Sequence, residues 1–149
     1  MSKPGASKAP PSRLPSMEHS FDIQVTGAET REIFIGKFKY RRPSCGARSR
    51  IAAMRARLNN DLTTLDEDTS DFNMAISHLR FTLDDFPQWW ADAAFGIDLY
   101  DANVVAEIYN RCMAFEEEWK TKVYSGNATT VVEGDPANAV KEAVVAAQP

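Results

Sequence analysis

Residues 21–42, FDIQVTGAETREIFIGKFKYRR, decide the fold. Phe21, Ile23 and Val25 alternate with Asp22, Gln24 and Thr26, the period of a strand with one buried face. Gly27-Ala28-Glu29-Thr30 reads as the turn, and a second extended run covers Arg31 to Arg42. Its apolar positions change phase midway. Ile33 and Ile35 are odd, Phe38 and Tyr40 are even, and Gly36 sits at the slip. A β-bulge at Gly36 keeps both halves facing one core, and glycine is common at bulges. The alternative is a second tight turn at Gly36, which makes three short strands. The missing turn partner beside Gly36 favours the bulged hairpin.

Outward from this hairpin the pattern turns helical. Pro43 lacks the donor for a sheet ladder and stops the second strand. Ser44 caps a first helix, in which Ile51, Met54, Leu58, Leu62 and Leu65 recur at helical spacing. Gly46 weakens its first turn. A loop, Asp66-Glu67-Asp68, leads to Thr69 and Ser70 as caps of a second helix with the stripe Phe72, Ala75, Ile76, Leu79, Leu83 and Phe86. Pro87 ends that helix, or kinks the chain into a short turn carrying Trp89 and Trp90. Asp101 caps a third helix, lined by Val104, Val105, Ile108, Cys112, Phe115, Trp119 and Val123, with Gly126 as its stop.

The ends read differently. Residues 1–17 hold Pro4, Pro10, Pro11 and Pro15 among Ser, Lys and Ala, too little apolar surface to offset ordering, and form a flexible arm. Residues 126–149 are an Ala- and Val-rich flexible tail in which Asp135-Pro136 can start one short helix. The expectation is therefore a single α+β domain over 18–125, an N-terminal β-hairpin packed with a three-helix bundle, between flexible arms. At 149 residues, 44% apolar and 26% charged, the chain has room for one modest core. No apolar run is long enough for a membrane span, and no apolar stretch follows Lys3 and Lys8 as a secretory signal requires. Cys45 and Cys112 fit two reduced thiols in a cytosolic compartment, with one disulfide between them as the alternative.

Charge is segregated. From Ile33 to Asn60 there is no acid, against Lys37, Lys39, Arg41, Arg42, Arg48, Arg50, Arg55 and Arg57. From Asp61 to Trp119 fourteen acids face only Arg80 and Arg111. This pattern supports mutual neutralisation within one fold, head-to-tail association of basic with acidic faces, or nucleic-acid binding by the basic part. No aromatic RNA-binding signature or zinc-finger spacing accompanies it, and the net charge of −4 disfavours a polyanion binder.

No set of residues assembles a catalytic or metal site. Gly27 to Gly36-Lys37 has the wrong spacing for a phosphate loop. His78 has Met74, Ala75, Phe81 and Thr82 at helical spacing and no second ligand, and His19 lies at the edge of the arm. Glu116-Glu117-Glu118 reads as a solvated face. Asp84-Asp85 and Asp98/Asp101 are explained by helix ends and caps, and Cys112 by the apolar stripe. The aromatic cluster Phe86, Trp89, Trp90, Phe95 and Tyr100 is the most distinctive local feature. Successive residues on a helix point about 100° apart, so Trp89 and Trp90 cannot both face inward there. One is core; the other is wedged under the connecting loop or exposed as a binding anchor, unless both are largely buried.

Three segments carry a resemblance: Gly36-Lys37-Phe38-Lys39-Tyr40-Arg41-Arg42-Pro43, then Phe86-Pro87-Gln88-Trp89-Trp90, then Asp98-Leu99-Tyr100-Asp101-Ala102-Asn103-Val104-Val105 leading to Ile108-Tyr109 and Phe115-Glu116-Glu117-Glu118-Trp119. Across Gly36 to Val123 the chain resembles phage tail assembly chaperones encoded beside the tape-measure protein. The resemblance implies a helical protein that coats the tape-measure protein, recruits tail-tube subunits in the host cytoplasm and is absent from the finished particle. A permanent virion protein, such as a head or tail adaptor or a decoration protein, is the alternative, and a basic nucleic-acid-binding module the third. In each case the chain is read as a non-enzymatic protein without cofactor, metal, small-molecule substrate or membrane. Its expected partners are tail or other virion proteins and further copies of itself. The expected partner surface joins Phe86, Trp89, Trp90 and Tyr100 to Arg41, Arg42, Arg55 and Arg57.

Overall fold

A computed structural model describes residues 14–60 and 64–131, with side chains described as far as Ser125. Most of the expected N-terminal arm, Leu62, and the tail beyond residue 131 with Asp135-Pro136 lie outside the described residues. The element order is β1 (Glu18–Thr26), β2 (Ile33–Arg41), α1 (Cys45–Leu58), α2 (Glu67–Thr82), β3 (Leu83–Asp85), α3 (Gln88–Asp92) and α4 (Ala102–Val131). The fold is α+β, with a three-stranded antiparallel sheet in the order β1-β2-β3. By its contacts the chain divides into a main unit, Ser16–Glu116, and a second formed by Met1–Pro15 with Glu117–Pro149. Along α4 the apolar stripe thins toward the C-terminal half. Val104, Val105, Ile108 and Cys112 are fully buried, whereas Glu117, Glu118, Thr121 and Lys122 are exposed. In the second unit the Trp119 indole N–H donates to the Pro15 carbonyl at 3.3 Å.

The hairpin contains no bulge at Gly36, in contrast to the expectation. β1 and β2 pair without interruption from Glu18↔Arg41 to Thr26↔Ile33. Phe34, Gly36, Phe38 and Tyr40 share the inner face, and Ile33 and Ile35 point out, 62% and 63% exposed. The phase change in the sequence therefore marks two exposed isoleucines, not a slip in register. Gly36 has another reason: a Cβ there would stand 2.5 Å from Cγ of Pro87. The strand needs a small residue where the α3 entry crosses it. The third strand does not come from splitting β2 either. It is Leu83–Asp85, read from the sequence as helix; its register with β2 shifts at Lys39/Tyr40.

Helix boundaries follow their caps. The Ser44 hydroxyl accepts from the Ala47 N–H at 3.1 Å, as expected. α1 ends at Leu58 with Asn59 as its cap, and Ile51, Met54 and Leu58 are only half-buried. α2 starts earlier than Thr69 and Ser70 suggested. Asp66 is its N-cap, accepting the Thr69 hydroxyl and, at 2.9 Å, the Thr69 N–H, and these bonds, the hydroxyl foremost, lower the carboxyl's pKa. α2 also ends earlier than Pro87, at Thr82, where Leu83 turns extended and donates to the Leu79 carbonyl. α4 does not stop at Gly126 but continues to Val131. After α3 the chain reverses through left-handed Ala94, Phe95 and Gly96. Gly96 has φ +92°, and any Cβ there would strike the Trp90 ring.

Phe21, Ile23, Phe38 and Tyr40 of the sheet, Ala75, Ile76 and Leu79 of α2, Trp90 of α3, and Val104, Val105, Ile108 and Cys112 of α4 make one core. Trp90 is 1% exposed and meets Phe38 edge-on at 5.8 Å. Trp90→Ala is expected to cost about 3–5 kcal/mol in urea unfolding, the range for truncating a buried aromatic. Ile35→Thr is expected to change stability by less than about 0.5 kcal/mol, because its side chain lies on the solvent face. A large loss at Ile35 would restore the bulged register.

Candidate functional site

The sequence-predicted partner residues do not form one surface. Trp90 is core. Trp89 is half-buried beneath the hairpin: its indole N–H donates to the Ile35 carbonyl at 2.9 Å, and its ring lies 5.1 Å from Phe34. Phe86 is half-buried edge-on to Phe95, whose ring is covered by the Arg80 guanidinium at 3.9 Å. The cluster is thus packing that anchors α3 to the sheet. Tyr100 alone stands out, 84% exposed. Arg41 bonds to both Glu18 and Asp84, which raise its pKa. Arg42 is turned inward. Arg55 and Arg57 remain exposed on α1 with Arg48 and Arg50, and none of these four has an ion pair among the described residues.

Arg42 leads to a buried polar cluster in the core. Tyr40 projects inward because it sits on the even face of β2. Its hydroxyl donates to Glu116 Oε1 at 2.8 Å, and His78 Nε2 lies 2.9 Å away. One hydrogen cannot serve both bonds, so Nε2 carries a proton and donates to the hydroxyl. Glu116 Oε2 accepts from Arg42 Nε at 2.9 Å, with the two side chains 9% and 12% exposed. Glu116 is therefore not part of a solvated face, as the Glu116-Glu117-Glu118 run suggested. Burial first, then the Glu116 hydrogen bond, pushes the Tyr40 hydroxyl far above its ordinary pKa. Burial likewise raises the Cys112 thiol, with Glu116 adding to it. A thiol kept protonated is a poor nucleophile. Among the described residues no buried side-chain nitrogen or oxygen lacks a partner. The cluster ties β2, α2 and α4 together, and every group in it is committed to that task.

A second buried carboxylate is equally committed. Asp101 precedes α4, but its carboxylate reaches back to the hairpin turn. Oδ1 accepts the N–H groups of Glu29 and Thr30 at 2.7 and 3.0 Å, and Oδ2 accepts the Thr30 hydroxyl at 2.5 Å. These bonds, the Thr30 hydroxyl foremost, hold its carboxyl below the usual range. Asn103 extends the clamp, accepting from Ala28 N–H and donating to the Thr26 carbonyl. No group of three His, Cys, Asp or Glu stands close enough to hold a metal among the described residues.

An open groove lies between α2 and the first turns of α4. It encloses about 490 Å³ and is walled by Phe72, Met74, Ala75, Val105, Ala106 and Tyr109, with Asp68 and Asp71 at its rim. Ala102 and Ala106, one turn apart, leave the space. The sequence held a signal for this: α4 has small and polar residues on the flank beside its apolar stripe. It held one for Glu116 too, which falls one turn after Cys112 on that stripe. Neither signal identifies a site without the facing helix.

His78 gives the cluster a pH signature. Burial chiefly lowers its pKa; Arg48 also lowers it, and Glu116 opposes them. The unfolded chain then takes up a proton near pH 6.5 that the folded chain resists. Stability is expected to be full above that pH and to be lost as pH falls from there through the lower folded value. His78→Gln keeps a donor for Tyr40 and is expected to flatten this slope between about pH 7 and 5, read by urea unfolding at each pH. An unchanged slope would remove His78 from the account.

No protein-family model, no curated protein and no solved structure matches this chain.

Proposed function

We propose that the protein is a non-enzymatic binding protein, a phage tail assembly chaperone that engages the tape-measure protein and tail-tube subunits. The observation that carries the binding role is the open groove between α2 and α4, with apolar walls and two carboxylates at the rim. Such a groove suits an amphipathic helix that seats apolar side chains and places Lys or Arg against Asp68 and Asp71. The exposed arginines of α1 supply the opposite sign on a neighbouring element and orient an approaching partner more than they add to final affinity. The phage assignment rests on the sequence resemblance over Gly36 to Val123. The polar clusters support a binding role by another route, since their groups are all spent on holding the fold.

Co-expression of the chain with the tape-measure and tail-tube proteins of the same phage, followed by affinity capture, tests this reading. Ala106→Lys narrows the groove from an exposed helix position and is expected to reduce capture at least about tenfold, with the melting temperature little changed. Capture that persists undiminished would remove the groove from the proposal. Mass spectrometry of purified particles tests the assembly role. The chain is expected to be missing from them. Its presence in stoichiometric amount would assign it to the virion instead.

A further inference from the structure

We propose that the free edge of β1 is a self-association site: two copies pair β1 with β1, antiparallel about a twofold axis, and merge their sheets into one. This inference does not rest on the tail-assembly reading.

β1 lies at one edge of the sheet, and the hydrogen bonds around it show which backbone groups face outward. Gly27 N–H donates to Glu32 O and Arg42 N–H to Met17 O, so the odd residues of β1 bond to β2. The even residues, Glu18, Ser20, Asp22, Gln24 and Thr26, point their N–H and C=O the other way. The side-chain bonds agree. Thr26 O accepts from Asn103, and the Ser16 hydroxyl bonds both the N–H and the C=O of Glu18. The two ends of the edge are sealed and the stretch between is open. Ser20, Asp22 and Gln24 with both backbone groups, and Thr26 with its N–H, have no hydrogen-bond partner among the described residues, and all four residues are exposed.

Edges left unpaired are normally guarded by Pro, a bulge, or an unbalanced charge. β1 has none of these. It contains no Pro, and its pairing with β2 is regular throughout. Its two acids are balanced within the hairpin: Glu18 by Lys39 and Arg41, and Asp22 by Lys37 directly opposite. The edge is therefore charge-balanced, unbulged and, at nine residues, long enough to pair.

Its sequence is also complementary to itself. With the axis at Ile23, Asp22 faces Gln24 of the second copy and Ser20 faces Thr26, each pair occurring twice. Every open backbone group then finds a partner, and Thr26 O uses its second lone pair. Carboxylate meets amide and hydroxyl meets hydroxyl. Of the two neighbouring registers, the one centred on Asp22 would set the two Asp22 carboxylates against each other, and the one centred on Gln24 would bring Ser20 opposite Ala28, whose N–H is already held by Asn103. The contact is one strand wide, below the area of standard stable interfaces, so association in the micromolar to millimolar range fits it.

Sedimentation equilibrium of the full chain across that concentration range tests the proposal. A monomer–dimer equilibrium is expected, with exchange of the Ser20, Asp22, Gln24 and Thr26 amides slowing as concentration rises. Gln24→Pro removes an N–H that bonds nothing in the single copy and is expected to abolish the dimer. Should that variant unfold, two charge variants decide. Gln24→Asp sets carboxylate against carboxylate and is expected to weaken association about fivefold; Gln24→Lys sets ammonium against carboxylate and is expected to tighten it by a similar factor. A chain that stays monomeric throughout overturns the proposal. So does a dimer indifferent to all three substitutions, which would place the contact elsewhere.

Discussion

The buried hydrogen-bond chain from His78 through Tyr40 to Glu116 and Arg42 is the constraint on which the rest of the main unit depends. It joins the end of β2 to the C-terminal part of α2 and to α4, so the sheet cannot slide over the helices without breaking it. Burying an ion pair costs desolvation that the attraction between the partners barely offsets, but removing one partner leaves an unpaired charge and costs about 3–5 kcal/mol. Such a cluster is a modest source of stability and a strong selector of one arrangement. Around it the aromatic core is layered: His19 stacks on Phe115 at 4.8 Å, Phe21 on Phe38 at 5.8 Å, and Tyr109 meets His78 edge-on at 5.7 Å.

The Asp101 clamp does at the turn of the hairpin what Glu116 does at its open end. Both carboxylates belong to the α4 segment, fifteen positions apart, and both grip the β1–β2 unit. The segregation of charge in the sequence is partly explained by these grips. Arg42 is matched by Glu116, Arg41 by Asp84, and both Arg41 and Lys39 by Glu18. The basic end of the hairpin is thus neutralised by acids of β1, β3 and α4. The exposed arginines of α1 and the acids beside the α2–α4 groove are among the charges left for other molecules.

Periodicity made the hairpin, the three long helices and most of the core legible: Phe21, Ile23, Phe38, Tyr40, Ile76, Leu79, Ile108 and Cys112 all lie where alternation or helical spacing places them. Gly36 reads as a bulge in the sequence because hydrophobicity alone cannot separate a shifted register from isoleucines that face solvent. β3 was hidden by length, since three residues with two acids continue a helical stripe as readily as they end it. The aromatic pair illustrates a further limit. One tryptophan in the core and one beneath a loop was a reading the sequence offered, yet only the facing strand shows that Trp89 is held by Ile35. Groove and edge are not identified by the sequence alone, because each lies beside or between elements: the small residues of α4 leave a trace of the groove, but only the facing helix makes it one.

The central claim is that Tyr40 and Glu116 act as one structural unit that fixes the sheet on α4. A double-mutant cycle on Tyr40→Phe and Glu116→Ala, read by urea unfolding at neutral pH, tests it most directly. Each substitution alone takes one bond from the remaining group, leaving Tyr40 with His78 only or Glu116 with Arg42 only, so the double mutant is expected to be more stable than the sum of the single losses by about 1–2 kcal/mol, within the range for coupled buried groups. Losses that add to within about 0.3–0.5 kcal/mol, the behaviour of independent sites, would contradict it.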